Sequence, residues 1–114
     1  MTDCLFCKIA QGQIPVQKLA EDEHGLAFPD LNPQAPTHAL VIPKKHLASL
    51  AEVGDADWPL VGALHALAVK VAKAKGLAPG GFRTVINIGP DAGQTVFHLH
   101  LHLLGGRAMT WPPG

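Results

Sequence analysis

The chain has 114 residues, of which 47% are hydrophobic and 16% charged, and its nine basic and nine acidic side chains cancel. That is one compact domain able to bury roughly two-thirds of the surface its unfolded chain exposes, and the absent net field excludes recruitment of nucleic acid or a membrane surface by bulk charge. No basic-flanked apolar leader opens the chain and no uninterrupted apolar run approaches the ~18 residues of a membrane span, so a cytoplasmic protein is expected.

Residues 4–11 place Leu5, Phe6 and Ile9 on one helical face, with Asp3 as N-cap and Gly12 as stop. Ile14 and Pro15 end this short helix. Residues 16–21 read as a weak strand, and a turn over 22–25 joins it to a second strand, 26–29. Pro33 and Pro36 make 30–37 irregular, and 38–43 form a third, apolar strand. A short helix is expected over 47–53. A long one follows, with Asp57 as N-cap, Pro59 at its first position, and Leu60, Leu64, Leu67, Val71 and Ala74 on its buried face, until Lys73, Lys75 and Gly76 close it; His65 is incidental. Residues 82–88 are a β-branched-rich strand, 89–93 a glycine-containing loop, 96–104 a fifth strand, and 105–114 a glycine- and proline-rich tail. These elements predict an α+β domain: a five-stranded antiparallel sheet with one long helix on its apolar face and a short N-terminal helix.

The fifth strand carries the chemistry. His98, His100 and His102 alternate with Leu99, Leu101 and Leu103. Successive strand side chains point to opposite faces, so the leucines line a buried face and three imidazoles stand on the other. A polar outer face would account for one histidine or two; three point to nucleophilic, acid/base or metal-ligand work near neutrality. At about 3.3 Å per residue the outer pair are about 13 Å apart at Cα, too far for one metal with bonds of about 2 Å to take all three without strain. Two could share a metal, and the three are expected to do different jobs.

The only cysteines, Cys4 and Cys7, lie three positions apart, a spacing that suits a reducing compartment and a metal or redox pair better than a structural disulfide. Structural zinc takes four ligands, so histidines would have to complete a metal site. The competing readings are a redox pair, which lacks the preceding strand of a thioredoxin-like motif, and two incidental buried thiols.

Residues 98–104, His-Leu-His-Leu-His-Leu-Leu, resemble the motif of the histidine triad (HIT) superfamily of nucleotide hydrolases and transferases. The resemblance extends to Cys-Leu-Phe-Cys-Lys-Ile at 4–9, to Ala-Pro-Thr-His-Ala-Leu-Val-Ile-Pro-Lys-Lys-His at 35–46, and to Gly-Gln-Thr-Val-Phe-His at 93–98; the close at 104–114, ending Trp-Pro-Pro-Gly, is similar to the Hint branch. It implies that His100 is the nucleophile, attacking the α-phosphorus of a purine nucleotide to form a nucleotidyl-histidine that water hydrolyses. A neutral imidazole nitrogen is chemically competent for that attack. It further implies that His102 and His38 support the nucleophile and phosphate, that Asn87, Gly93, Gln94 and Thr95 contact phosphate, and that the Thr95 hydroxyl hydrogen-bonds the leaving group, where many relatives carry Ser. Leu5, Phe6, Ile9, Phe28 and Leu31 would surround the base, though Leu5 or Leu31 alone reads as core, and the Asp30 carboxylate would take the ribose hydroxyls.

Zinc-containing members of the superfamily imply Cys4, Cys7, His46 and His98 as the ligands of a structural zinc. The activity implied is cleavage of the P–N bond of purine nucleoside 5′-phosphoramidates, aminoacyl adducts included, with release of AMP or GMP by a homodimer in which Trp111 lies near the partner's site. A diadenosine polyphosphate hydrolase of the same superfamily is one alternative, and a nucleotide-binding scaffold with vestigial activity is another.

Overall fold

A computed structural model describes residues 4–114. The elements run α1 (Leu5–Ala10), β1 (Ala20–Glu21), β2 (Gly25–Pro29), β3 (Thr37–Pro43), α2 (Trp58–Ala74), β4 (Phe82–Val85) and β5 (Leu101–Gly105). The five strands form one antiparallel sheet in the order β1-β2-β3-β5-β4. This is the expected α+β architecture, in which the long connection through α2 carries β4 one place beyond β3 and the chain then returns to insert β5 between them.

Helix α2 buries Val61, Leu64, Leu67, Ala68, Val71 and Ala72 against Ala27, Ala39, Val41, Leu99, Leu101 and Leu103. Leu60 only borders this core and Ala74 is exposed, so the buried stripe turns slightly from the expected one. Its end is set by Gly76, whose φ of +73° only glycine adopts freely. Asp57 stands at the N-cap but makes no cap hydrogen bond, because Lys45 Nζ takes both carboxylate oxygens at 3.0 and 2.9 Å. The cap of α1 is Cys4, whose sulfur accepts the Cys7 N–H at 3.3 Å; Asp3 lies outside the described residues.

The opposite face of the sheet is also covered. Phe6 and Ile9 of α1 pack on Leu26, Phe28, Leu40 and Ile42, so β2 and β3 are buried on both sides and read as continuous apolar runs. Other boundaries shift for local reasons. Only Ala20 and Glu21 of the expected first strand pair with β2, while 14–18 run along the sheet without entering it. The short helix over 47–53 contracts to a 3₁₀ turn, Leu50–Glu52, capped by Ser49, and β4 stops at Val85.

The largest departure concerns the histidines. Pairing with β3 begins at Leu101, so His102 alone lies in a strand and His98 and His100 precede it. The cause is tertiary: Pro43 ends β3, and beyond it the Leu99 N–H turns to the Leu47 carbonyl at 2.6 Å. The alternation survives, since Leu99, Leu101 and Leu103 are at most 1% exposed in the α2 core and the imidazoles face α1.

Candidate functional site

Between α1 and the sheet lies a cleft of about 630 Å³. Leu5, Phe6 and Ile9 of α1 form one wall, Phe28, Asp30 and Leu31 another, and His100, His102 and Thr95 stand at its polar end. Leu31 is fully exposed and Leu5 nearly half so, which places both at the cleft's rim and not in the core. The extended segment with Ile14 and Val16, and Leu40 of β3, complete the apolar lining.

Hydrogen-bond partners assign the imidazole tautomers in turn. The Gln34 N–H donates to His38 Nδ1 at 3.0 Å, so the neutral ring carries its proton on Nε2. That N–H faces His102 Nδ1 at 2.9 Å and Asp30 Oδ2 at 3.3 Å. His102 Nδ1 is therefore an acceptor, and its remaining group is an Nε2–H donor. His100 is the converse: its Nδ1–H donates to the His98 carbonyl at 2.8 Å, leaving Nε2 with a free lone pair. The Phe6 ring stands edge-on to His100, with centroids 5.1 Å apart and planes at 83°, and fixes the imidazole plane.

Burial pushes His102 down to about 4, with His100 and His38 adding to the shift and Asp30 opposing it. Burial likewise lowers His38 against the pull of Asp30. Both rings are thus neutral near pH 7. Because an unfolded imidazole takes its proton near pH 6.5 and folded His102 refuses it until about 4, stability is full above that window and falls as pH drops through it. Urea midpoints measured from pH 7 to pH 4 should fall more steeply for the wild type than for His102→Gln; parallel curves would contradict the assignment.

A second cluster lies behind the first. Cys4 Sγ is 3.3 Å from His98 Nδ1, Cys7 Sγ is 3.2 Å from His46 Nδ1 and 3.5 Å from His98 Nδ1, and the two Nδ1 atoms are 3.2 Å apart. All four donor atoms lie within 4.8 Å of one another. A tetrahedral zinc with its usual bond lengths separates its ligands by about 3.4–3.8 Å, close to these spacings. The tautomer also fits: His98 Nε2–H donates to the Pro43 carbonyl at 2.9 Å, which aims the Nδ1 lone pair at the cluster. Burial and the neighbouring Cys4 raise the Cys7 thiol, a shift that a divalent cation bound there would reverse. Asp30, His38 and His102 also converge, but the proton on His38 Nε2 leaves no lone pair there for a metal. Cys4, Cys7, His46 and His98 thus have the donor set and spacing of a cation site, and Asp30, His38 and His102 form a proton chain.

The remaining expected residues separate. Gln94 is 4% exposed and committed to its loop: Oε1 accepts the Gly89 N–H at 2.9 Å, Nε2 donates to the Ala48 and Val96 carbonyls at 2.8 and 3.0 Å, and its own N–H reaches Gly89 O. It shapes the turn that presents Thr95. Gly93 gives its N–H to Pro90, Asn87 is half-buried, and neither lines the cleft. Trp111 is 80% exposed, and His65 is exposed on α2 as expected. Sequence reasoning missed the groups that fix the tautomers, the Gln34 N–H and the carbonyls of Pro43 and His98, because backbone groups carry no residue-type signal.

Comparison with known proteins agrees with this fold. The family model described as "Scavenger mRNA decapping enzyme C-term binding" matches residues 3–110. An uncharacterized HIT-like protein of Synechococcus elongatus is 50% identical over 112 residues, covering 98% of this chain and 97% of that one. A 14 kDa zinc-binding protein of Zea mays is 50% identical over 112 residues, covering 96% and 87%. The crystal structure of a HIT family hydrolase from Legionella pneumophila superposes with a TM-score of 0.95 at 55% identity, covering 98% of this chain and all of the other.

Proposed function

The chain belongs to the histidine triad (HIT) family, and on that premise we propose that it is a purine nucleoside phosphoramidase acting through a covalent nucleotidyl-His100. The single observation that carries this reading is the His100 tautomer: Nδ1–H is spent on the His98 carbonyl, and the unprotonated Nε2 belongs to a ring that lines the cleft.

In the proposed reaction Nε2 attacks the α-phosphorus and the P–N bond breaks. The His102 Nε2–H donates to a non-bridging phosphate oxygen, and the Thr95 hydroxyl hydrogen-bonds the departing amine. Water then breaks the Nε2–P bond. The departing amine takes its proton from solvent at the exposed Thr95 side, and the water that splits the Nε2–P bond leaves its hydroxyl on phosphorus and returns a proton to solvent, so that overall one water is consumed with release of AMP or GMP. Leu5, Phe6, Ile9, Phe28 and Leu31 hold the base, and the Asp30 carboxylate, with Oδ1 already accepting the Asn32 N–H at 2.8 Å, takes the ribose hydroxyls. The family resemblance would put Asn87 and the loop of Gly93 and Gln94 toward the phosphate, where Gln94 acts by shaping the turn and not by contact.

Cys4, Cys7, His46 and His98 would hold one structural zinc, which supplies folding energy and joins no chemical step; the spacing and softness of the four donors support this. The family resemblance supports a homodimer with Trp111 beside the partner's site.

The test is nucleoside monophosphate release by the wild type from adenosine 5′-phosphoramidate and from diadenosine tetraphosphate in parallel. Faster turnover of the phosphoramidate is expected. Preference for the tetraphosphate would move the activity to the polyphosphate hydrolases, and turnover of neither would sink the enzymatic reading.

A further inference from the structure

Arg107 lies in the Gly-Gly-Arg stretch that follows β5 and does not line the cleft. Each of its three guanidinium nitrogens nevertheless donates a hydrogen bond. Nε and Nη2 both donate to the Gln34 carbonyl, at 3.2 and 3.0 Å, and Nη1 donates to the Ala108 carbonyl at 3.0 Å. Gln34 is the residue whose N–H sets the tautomer of His38. Within the irregular loop the side-chain bonds are short-range, Asn32 N–H to Asp30 Oδ1 and Gln34 Nε2 to Asn32 O, and Thr37 pairs with Gly105 through the backbone; Arg107 adds a side-chain tie from the tail to Gln34.

The two glycines explain how the tail reaches this place. A Cβ on Gly106 would lie 2.9 Å from Pro36 Cβ, and its φ of +90° is one L side chains rarely adopt. A Cβ on Gly105 would lie 2.6 Å from Leu77 Cδ1. Gly106 therefore lets the backbone lie against the proline loop and deliver Arg107 over Gln34, while Gly105 makes room for Leu77 on the other side.

We propose that Arg107 is a positioning residue for the active site, acting through Gln34 and His38 on the protonation pattern of His102. Four links make the chain: Arg107 to Gln34 O, Gln34 N–H to His38 Nδ1, His38 Nε2–H to His102 Nδ1, and the remaining His102 Nε2–H toward substrate. With the clamp gone, Gln34 is free to leave His38. Only Asp30 then favours the Nε2–H form, and a fraction of His38 can hold its proton on Nδ1 and accept from His102 through Nε2. His102 would in turn carry its proton on Nδ1 and present a lone pair where the phosphate needs a donor. The inference rests on the nucleotide hydrolase reading for its kinetic consequence but not for its structural one.

Two measurements on wild type, Arg107→Ala and Arg107→Lys decide it. Long-range ¹⁵N–¹H correlation NMR at neutral pH should show His38 as the Nε2–H tautomer in the wild type, a mixture in Arg107→Ala, and an intermediate population richer in Nε2–H in Arg107→Lys, whose ammonium still reaches the carbonyl with one bond. In parallel, kcat for the phosphoramidate should fall about tenfold to a hundredfold in Arg107→Ala with KM little changed, and recover in part in Arg107→Lys. An unchanged His38 tautomer in Arg107→Ala overturns the proposal, as does a rise in KM at constant kcat, which would make Arg107 a substrate ligand. Should Arg107→Ala not fold, the same readouts on Arg107→Lys decide, with intermediate tautomer populations expected. If the wild type turns over neither substrate, the hydrolase reading falls while the NMR result still stands or fails by itself.

Discussion

Replacing His100 by Asn is expected to cut turnover of adenosine 5′-phosphoramidate by about 10³-fold or more, a loss of about 4 kcal/mol in transition-state stabilisation. Asn is the informative choice because its side-chain amide can still donate to the His98 carbonyl, as His100 Nδ1–H does at 2.8 Å. The loop and cleft are thus preserved while the nucleophilic lone pair disappears. Affinity for AMP should hold, since the apolar walls and Asp30 are untouched. Wild-type enzyme quenched in alkaline denaturant during turnover should carry the mass of one nucleotidyl group, and His100→Asn should carry none. A variant that keeps its activity, or keeps the adduct, would remove His100 from the chemistry.

The cleft and the four-donor cluster are built from the same short segments, which is the main physical feature of the molecule. In α1 the cysteines turn toward His46 and His98 while Leu5, Phe6 and Ile9 line the cleft. Phe6, between the two cysteines, stands edge-on to both His98 and His100, with centroids 5.9 and 5.1 Å away. His98 joins the two more directly still: its ring belongs to the donor cluster and its carbonyl fixes the nucleophile's tautomer. A shift of His98 therefore changes both sites at once.

How much of this was legible depended on whether the information lay in side-chain type or in backbone position. The heptad-like spacing in α2 and the alternation of His and Leu are side-chain patterns, and they placed the long helix and set the leucines of the last strand in the core with the imidazoles on the other face. The halt of β5 at Leu101 was invisible because it depends on where β3 stops pairing and on a Leu99 to Leu47 backbone bond between distant segments. Cover on the second sheet face was missed for a related reason: six residues of helix carry too little apolar periodicity to announce which surface they bury. Asp57 and Gln94 illustrate the third kind of failure. Each occupies the expected place, yet its side chain satisfies a partner that tertiary packing brings, Lys45 for one and three backbone groups for the other.

Chelation of zinc from the wild type is expected to lower its melting temperature by on the order of 10 °C, since closing a four-ligand site contributes folding energy directly. Cys7→Ser should show the lower temperature at the outset and respond little to chelator. The position is suited to this comparison because Cys7 is 6% exposed and its sulfur lies within 3.5 Å of both His46 Nδ1 and His98 Nδ1. Serine keeps the volume and a hydrogen-bonding group but is a poor ligand, so the part of the loss that chelator abolishes in the wild type is the metal's own. Metal analysis of protein purified without chelator should find one zinc per chain in the wild type and less than that in the variant. A melting temperature indifferent to chelator, in protein that carries no stoichiometric metal, would make the four donors a hydrogen-bonded thiol–imidazole cluster. With the metal gone, α1 loses its tie to His46 and His98, and because α1 supplies Leu5, Phe6 and Ile9 to the cleft, KM for the nucleotide should rise more than kcat falls.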